Sequence, residues 1–255
     1  MSPADPTADA LPRLYTDLAD WYHLLTSPED AREEAAFFLQ QMTEALRATP
    51  RSVLDLGSGG GNLAWHYKRE IPSVTLTDLS SQMLAASQRV NPELEHIQGD
   101  MRAVRLDRLF DAVLVHDAVC YLTTEDDLRA AMATAFVHCR PGGVAIFAPD
   151  SVRENFSESL ESDGHDEPGR KLRYMMWTWD PDPSDATCVV DFSYLLHEEG
   201  RPMCTIYDRH VEGLFSRETW LRLLEGVGFG PTTVVPLIHS DVEPGTVELF
   251  VALKA

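Results

Sequence analysis

Residues 53–62 read VLDLGSGGGN, an apolar run containing an aspartate that leads into four glycines within five positions. Glycine is the costliest residue to order, so such a cluster between an apolar strand and a helix belongs where the backbone must approach something closely. The chain is therefore constrained to a strand–loop–helix unit whose loop faces a ligand. A Walker loop requires GK[ST], and no lysine occurs before Lys68. A dinucleotide fingerprint G-x-G-x-x-G would place its third glycine at position 62, which is Asn62. Asp55 would also repel a pyrophosphate, whereas it suits a ligand with a cationic amino group.

Around this loop the pattern predicts a parallel sheet with helices on both faces. Strands are expected at Ser52–Leu56, Val74–Thr77, Glu95–Gln98, Phe110–His116 and Val144–Ala148. Helices are expected at Gly61–Glu70, from the N-cap candidate Asp78 onward, and at Glu125–Cys139. The first ten residues read as a disordered tail, and Leu14–Leu25 and Pro28–Leu46 as helical. After the fifth strand, Ser151–Gly169 reads as a polar loop. Lys171–Trp179, Thr187–His197 and Met203–Leu214 then read as inserted antiparallel strands. A helix at Ser216–Val227 and strands at Thr232–Ile238 and Thr246–Leu253 close the chain. The expected division is 1–50 tail and lid, 51–149 cofactor-binding α/β core, 150–215 β-rich insertion, and 216–255 the helix and hairpin that complete the core.

Acids at three successive strand ends describe the ligand. Asp55 lies in the first strand, Asp78 ends the second where a carboxylate can accept both ribose hydroxyls, and Asp100 follows the third, placed for an adenine amino group that Met101 can cover. A nucleoside with a positive, phosphate-free tail fits, and S-adenosylmethionine is such a molecule. Gly57, Gly59, Gly61 and Asn62 of the loop, Leu79 and Met83 beyond Asp78, and His116 and Tyr22 complete the expected cofactor set. The formal charge of −20 over 255 residues argues against sequence-independent nucleic-acid binding and against an anionic membrane surface. The four cysteines form no CxxC pair, and Cys120 and Cys139 read as reduced core thiols. The polar, proline-rich MSPADPTADALP does not read as a signal peptide, so a cytoplasmic location is expected.

These blocks resemble the class I S-adenosylmethionine-dependent methyltransferases. VLDLGSGGGN is similar to their first motif, TLTDLS to the second, QGDM to the third, FDAVLVHDAVCYL to the fourth and CRPGGVAIF to the block after it. The resemblance covers residues 51–149 and 216–255 and implies a seven-stranded Rossmann-like sheet whose last strand is antiparallel. Within the class, Tyr15, Trp21-Tyr22, GDMR, the AVCYL after the fourth strand and the β-rich insertion most resemble small-molecule methyltransferases of actinobacterial secondary metabolism, amino-sugar N,N-dimethyltransferases among them. Those sugar enzymes carry small hydroxyl residues where this chain has His116-Asp117-Ala118. The resemblance implies N-methylation of a small-molecule amine, as in antibiotic biosynthesis. O-methylation with His116 as base, an NAD-dependent oxidoreductase and a non-catalytic nucleoside-binding module are the alternatives.

The acceptor is expected beyond the carboxyl end of the fourth strand, along His116–Tyr121. His116 there is either a general base with an ordinary pKa of about 6.5 or a histidine bonded to backbone. Asp117 is its neighbour, but adjacent side chains on an extended segment point oppositely, so no His–Asp dyad is implied. Tyr121 occupies a position resembling the catalytic aromatic or histidine of the sugar enzymes. Tyr15 and Tyr22 read as parts of a lid or as a staple on the core. Trp177 and Trp179 share one face of an inserted strand and read as a pocket wall or a homodimer contact. Arg209 and His210 are substrate candidates, Arg209 as an anchor for a carboxylate. Asp117 with Asp150 is an incomplete set for a metal, and no metal site is assigned.

Overall fold

A computed structural model describes residues 11–240 and 245–255; the expected N-terminal tail lies outside the described residues. The strand–helix alternation predicted for the middle of the chain is present except between the third and fourth strands, which no helix separates. Helices α1 (Tyr22–Leu25) and α2 (Arg32–Leu46) precede β1 (Ser52–Leu56), α3 (Asn62–Tyr67), β2 (Ser73–Asp78), α4 (Ser81–Val90) and β3 (Glu95–Gln98). Then follow β4 (Phe110–His116), α5 (Glu125–His138) and β5 (Cys139–Ala148). A second group of strands comprises β6 (Ser159–Asp163), β7 (Asp166–Glu167), β8 (Arg170–Trp179), β9 (Thr187–Glu198) and β10 (Cys204–Gly213). Helix α6 (Arg217–Val227), β11 (Thr232–Pro236) and β12 (Glu248–Leu253) close the chain.

The main sheet has seven strands in the order β11-β12-β5-β4-β1-β2-β3, all parallel except for the pairings of β12. Strand β4 shows why the sheet is buried on both faces. Val113 and Val115 pack with α5 and α6, while Ala112 and Leu114 pack with α2 and α3. That is the near-continuous apolar strand expected of a doubly covered parallel sheet. Helix starts follow local chemistry. Ser80 Oγ accepts the Met83 N–H at 3.1 Å, and Thr124 Oγ1 accepts that of Asp127 at 3.1 Å above three acids in the first turn of α5. Order reversal between β1 and β4 leaves a crevice at the carboxyl ends of the strands, where ligands bind in such sheets.

Strands β10-β9-β8-β6 form a separate antiparallel sheet, with β7 paired to β8. Its inner face, including Leu172, Val190, Phe192, Tyr194 and Leu196, packs on Leu14, Leu18 and Leu24. Two expectations are corrected here. The polar stretch Ser151–Gly169 contains β6 and β7 rather than loop alone; β6 is a largely exposed edge strand, so its side chains carry no apolar alternation. Leu14–Leu25 is not one helix but two 3-10 turns, Arg13–Tyr15 and Ala19–Trp21, followed by the single turn α1. Hydrogen bonds from outside hold it in that shape: Asp208 takes the N–H of Arg13 and Leu14, and Ser80 Oγ donates to the Tyr15 carbonyl. Among the described residues no helix is long and apolar enough to cross a membrane. All four cysteines are free, with Cys120, Cys139 and Cys188 buried.

Candidate active site

The glycine loop follows β1 and is shaped by β2. Both Gly57 and Ser58 donate to the Thr77 carbonyl at 2.8 Å, and the Gly59 N–H reaches Asp78 Oδ2 at 2.9 Å. Gly59 has φ +53°, a conformation other residues adopt only under strain. A Cβ on Gly60 would lie 2.4 Å from ring atoms of Tyr22, so that tyrosine lies directly over the loop. Neighbouring lid residues are tied to the same loop: His23 Nε2 donates to the Gly60 carbonyl at 3.0 Å, and Asn62 Nδ2 to that of Thr26 at 3.0 Å. Met83 is fully buried beneath Gly59, Leu79 stands at the exposed rim, and Met101 packs against Gly57.

The three strand-end acids differ in what they can offer. Asp78 accepts from Gly59 and, at 2.8 Å, from the Ser80 N–H; a carboxylate has about four lone-pair sites, so acceptor capacity remains for ribose hydroxyls. Asp55 lies lower, 3 % exposed, and receives the Tyr67 hydroxyl at 2.6 Å. Burial pushes its pKa up to about 6. It forms the floor of the loop rather than its open wall. Asp100 is engaged by Arg102, whose Nη2 lies 2.7 Å away and holds the carboxyl below its usual range. Ser58 Oγ and Asn62 Oδ1 are buried without partners, leaving polar capacity in the loop for a ligand to fill. Donors, acceptors and negative charge together fit S-adenosylmethionine.

On the lid side, Tyr15 and Tyr121 meet hydroxyl to hydroxyl at 2.8 Å, and Tyr121 lies 2.7 Å from His210 Nδ1. His210 Nε2 is 3.2 Å from Asp208 Oδ2, and Asp208 also accepts the N–H of Arg13 at 3.0 Å and of Leu14 at 2.9 Å. With a neutral imidazole, Nε2–H donates to Asp208 and Nδ1 accepts the Tyr121 hydroxyl, which turns Tyr15 to donate to Tyr121. Four residues from three segments thus fix two phenols in one orientation. Asp208 alternates with His210 on the inner face of β10, while Arg209 between them faces outward.

His116 and Asp117 do meet, contrary to expectation. Asp117 has φ +44°, which ends the strand geometry and swings its carboxylate to 2.7 Å from His116 Nε2. Glu34 of α2 lies 2.9 Å from the same nitrogen. Burial alone would lower the imidazole pKa, but Asp117 and Glu34 outweigh it and hold His116 well above its ordinary value. His116 is accordingly a cation between two carboxylates, not a free base of ordinary pKa. The low-dielectric surroundings and the neighbouring Asp117 and Glu212 push the Asp150 carboxyl up, while His116 keeps Asp117 low; both carboxyls stand at the open rim of the site. A cavity of about 230 Å³ opens here among Glu34, Phe38, His116, Asp117, Asp150 and Leu249. Another of about 430 Å³, near Thr124, Arg153 and Ser216, lies apart from all of these groups.

Cys120 Sγ and one oxygen each of Asp150 and Glu212 lie within 4.8 Å of one another. Burial pushes the thiol well above its usual pKa, and a protonated thiol beside carboxyls is a poor set for a divalent ion. Trp177, Trp179 and Arg209 do not reach the site. The two indoles stack at 5.2 Å, and Trp179 Nε1 and Arg209 Nε bond Asp191 at 2.9 and 2.7 Å. Register pairs Trp177 with Asp191 and Asp191 with Arg209, which places all of them on the outer face. Arg209 and His210 are adjacent on a strand and so face opposite ways.

Residues 53–143 match a methyltransferase domain family. With the sheet order and the loop acids, this identifies residues 53–143 as a methyltransferase domain on the class I fold, and S-adenosylmethionine is the cofactor that its loop fits. Among curated relatives it is similar to a dTDP-3-amino-3,4,6-trideoxy-alpha-D-glucopyranose N,N-dimethyltransferase of Streptomyces venezuelae, 31 % identical over 58 % of this chain and 62 % of that one, less than two thirds of the relative's length. A dTDP-3-amino-3,6-dideoxy-alpha-D-glucopyranose N,N-dimethyltransferase of Streptomyces fradiae is 29 % identical over 69 % of each chain. The crystal structure of Streptomyces venezuelae DesVI superposes with a TM-score of 0.80 at 25 % identity, covering 94 % of this chain and 98 % of that one.

Proposed function

We propose that the protein transfers a methyl group to the nitrogen of a small-molecule amine, in the cytoplasm and within a biosynthetic sequence like those of its amino-sugar relatives. The observation that carries this reading is the charge of the cleft. Glu34, Asp117, Asp150 and Glu212 converge beside the ends of β4 and β5 with His116 as the one imidazolium among them. Such a cleft concentrates a cationic amine and disfavours an anionic nucleophile. S-adenosylmethionine supplies an electrophilic methyl on a sulfonium sulfur. The protein's share is positioning: Tyr22 covers the loop, Asp78 holds the nucleoside, and the Tyr15–Tyr121 pair orients the acceptor through Asp208 and His210. O-methylation through His116 as base loses its base, because that imidazole already carries its proton.

The outer face of the antiparallel sheet exposes Leu160, Met175, Trp177, Leu195, Tyr207 and Val211. Such an exposed apolar face is suited to a contact, and a second copy of the chain, meeting the same strip about a two-fold axis, is the occupant proposed for it. Isothermal titration with S-adenosylhomocysteine and with NAD, followed by a labelled methyl-transfer screen over amines and alcohols, tests the reading. Binding of the former and labelling of amines are expected. Tight NAD binding, or label only on hydroxyl acceptors, would refute it.

A further inference from the structure

We propose that Glu212 receives the ammonium of the incoming acceptor and takes its proton, which makes it the base that prepares the nucleophile; this rests on the amine reading above. Strand β10 presents Asp208, His210 and Glu212 on the face turned toward the cleft. The first two are saturated by each other, by Tyr121 and by the lid backbone. Glu212 is not. It is 8 % exposed, no hydrogen bond or ion pair to its carboxyl group is found among the described residues, and its oxygens are not among the sealed, unpartnered polar atoms, so they open toward the cleft. A largely buried carboxyl that the protein gives no donor is a position that a ligand donor would fill. Its surroundings offer an anion no counter-charge: Asp150 and Cys120, within 4.8 Å, carry no positive charge, and His116 is already paired with Glu34 and Asp117. An ammonium brings both the missing donors and the missing charge.

Elimination also selects Glu212 as the proton acceptor. The groups that face it are Cys120 and Tyr121 on the turn after β4, Asp117 and Asp150 at the strand ends, Cys188 opposite on β9, and Tyr15 of the lid. Burial holds Cys120, Tyr121, Cys188 and Tyr15 protonated, Asp117 is paired with His116, and Asp150 stands exposed at the rim, hydrogen-bonded to Asp117. Burial first, then the Asp117 charge, push Glu212 up to about 7. An ordinary glutamate lies about six pKa units below an alkylammonium, so this shift narrows the gap the proton must cross. In the step, an N–H bond of the ammonium breaks and an O–H bond forms on the Glu212 carboxylate. The nitrogen keeps the electron pair, leaving a neutral amine and a neutral carboxylic acid.

Glu212→Gln, which keeps shape and burial, is the test. Affinity for S-adenosylhomocysteine should be unchanged by calorimetry. In carbon-13 NMR of glutamate-labelled protein holding S-adenosylhomocysteine in EDTA, the resonance missing from the variant should titrate near neutrality. Its midpoint should fall by about one unit or more with cyclohexylammonium chloride as the probe. With an amine acceptor, kcat/KM of the variant should drop about 100-fold near neutral pH and recover in alkaline solution, where the amine arrives neutral. Glu212→Asp, which keeps the charge, serves as the second variant if the first fails to fold and should retain part of the rate. A midpoint indifferent to the probe, or amine turnover by the Gln variant at the wild-type rate across pH, overturns the proposal. Transfer by the wild-type protein to hydroxyl acceptors alone overturns the amine reading, whatever Glu212 does with the probe.

Discussion

Asp208→Asn should detach the N-terminal lid while leaving the main sheet intact. The carboxylate is 5 % exposed and accepts three hydrogen bonds, from the Arg13 N–H at 3.0 Å, the Leu14 N–H at 2.9 Å and His210 Nε2 at 3.2 Å. Hydrogen bonds to a charged group contribute about 1.5–3 kcal/mol each, and an asparagine has only one oxygen to accept them. One donor must then face the amide NH2, so the loss is about 2–4 kcal/mol once the surviving bonds weaken. Burial alone would raise the Asp208 pKa, but His210 and the two backbone donors outweigh it and hold it below the usual range. The stabilisation is therefore present above the unfolded value of about 3.9 and lost as the pH falls through the lower folded value. Hydrogen exchange at the Leu14 and Leu18 amides, with urea unfolding monitored in parallel, reads the effect. Unchanged protection at neutral pH would refute the view that this carboxylate fastens the lid.

Asp78→Ala should weaken S-adenosylhomocysteine binding by about 2 kcal/mol or more in calorimetry, because ribose acceptors vanish and Gly59 loses its anchor; equal affinity would contradict the placement of the nucleoside. His116→Gln should reduce stability most below pH about 6.5, with the difference from wild type shrinking as the pH rises through the raised folded value, since a raised pKa stabilises only while the proton is held. A difference independent of pH in denaturant titrations would show that His116 is not held as a cation. Replacing Trp177 and Trp179 with Ser should leave cofactor affinity unchanged and shift sedimentation toward the monomer. A change in cofactor affinity with assembly intact would return these indoles to the substrate site.

Legibility in the sequence followed the range of the forces involved. Strand β4 could be read because burial on both faces leaves nothing polar in VLV, and the acids at strand ends because a parallel sheet places its ligands there. The broken lid at residues 13–25 could not, since its shape is imposed by Asp208 from nearly two hundred residues away. Asp117 was misplaced for a local reason: its positive φ is a property of the turn, and the assumption of extended backbone sent its side chain the wrong way. A signal for Glu212 did exist. Asp208-x-His210-x-Glu212 is a period-two run of titratable residues on one face of a strand, and reading Arg209 together with His210 hid it.

The central claim is that this chain methylates nitrogen, and the site of the transferred carbon tests it most directly. Reaction with carbon-13 methyl-labelled S-adenosylmethionine, followed by NMR of the isolated product, distinguishes an N-methyl from an O-methyl or C-methyl group by its chemical shift. The account predicts the label on an amine nitrogen, with turnover rising as pH approaches neutrality from the acid side while Glu212 deprotonates, starting from its raised value of about 7. Label on oxygen or carbon, under conditions where amines of the same scaffold are left untouched, would contradict it.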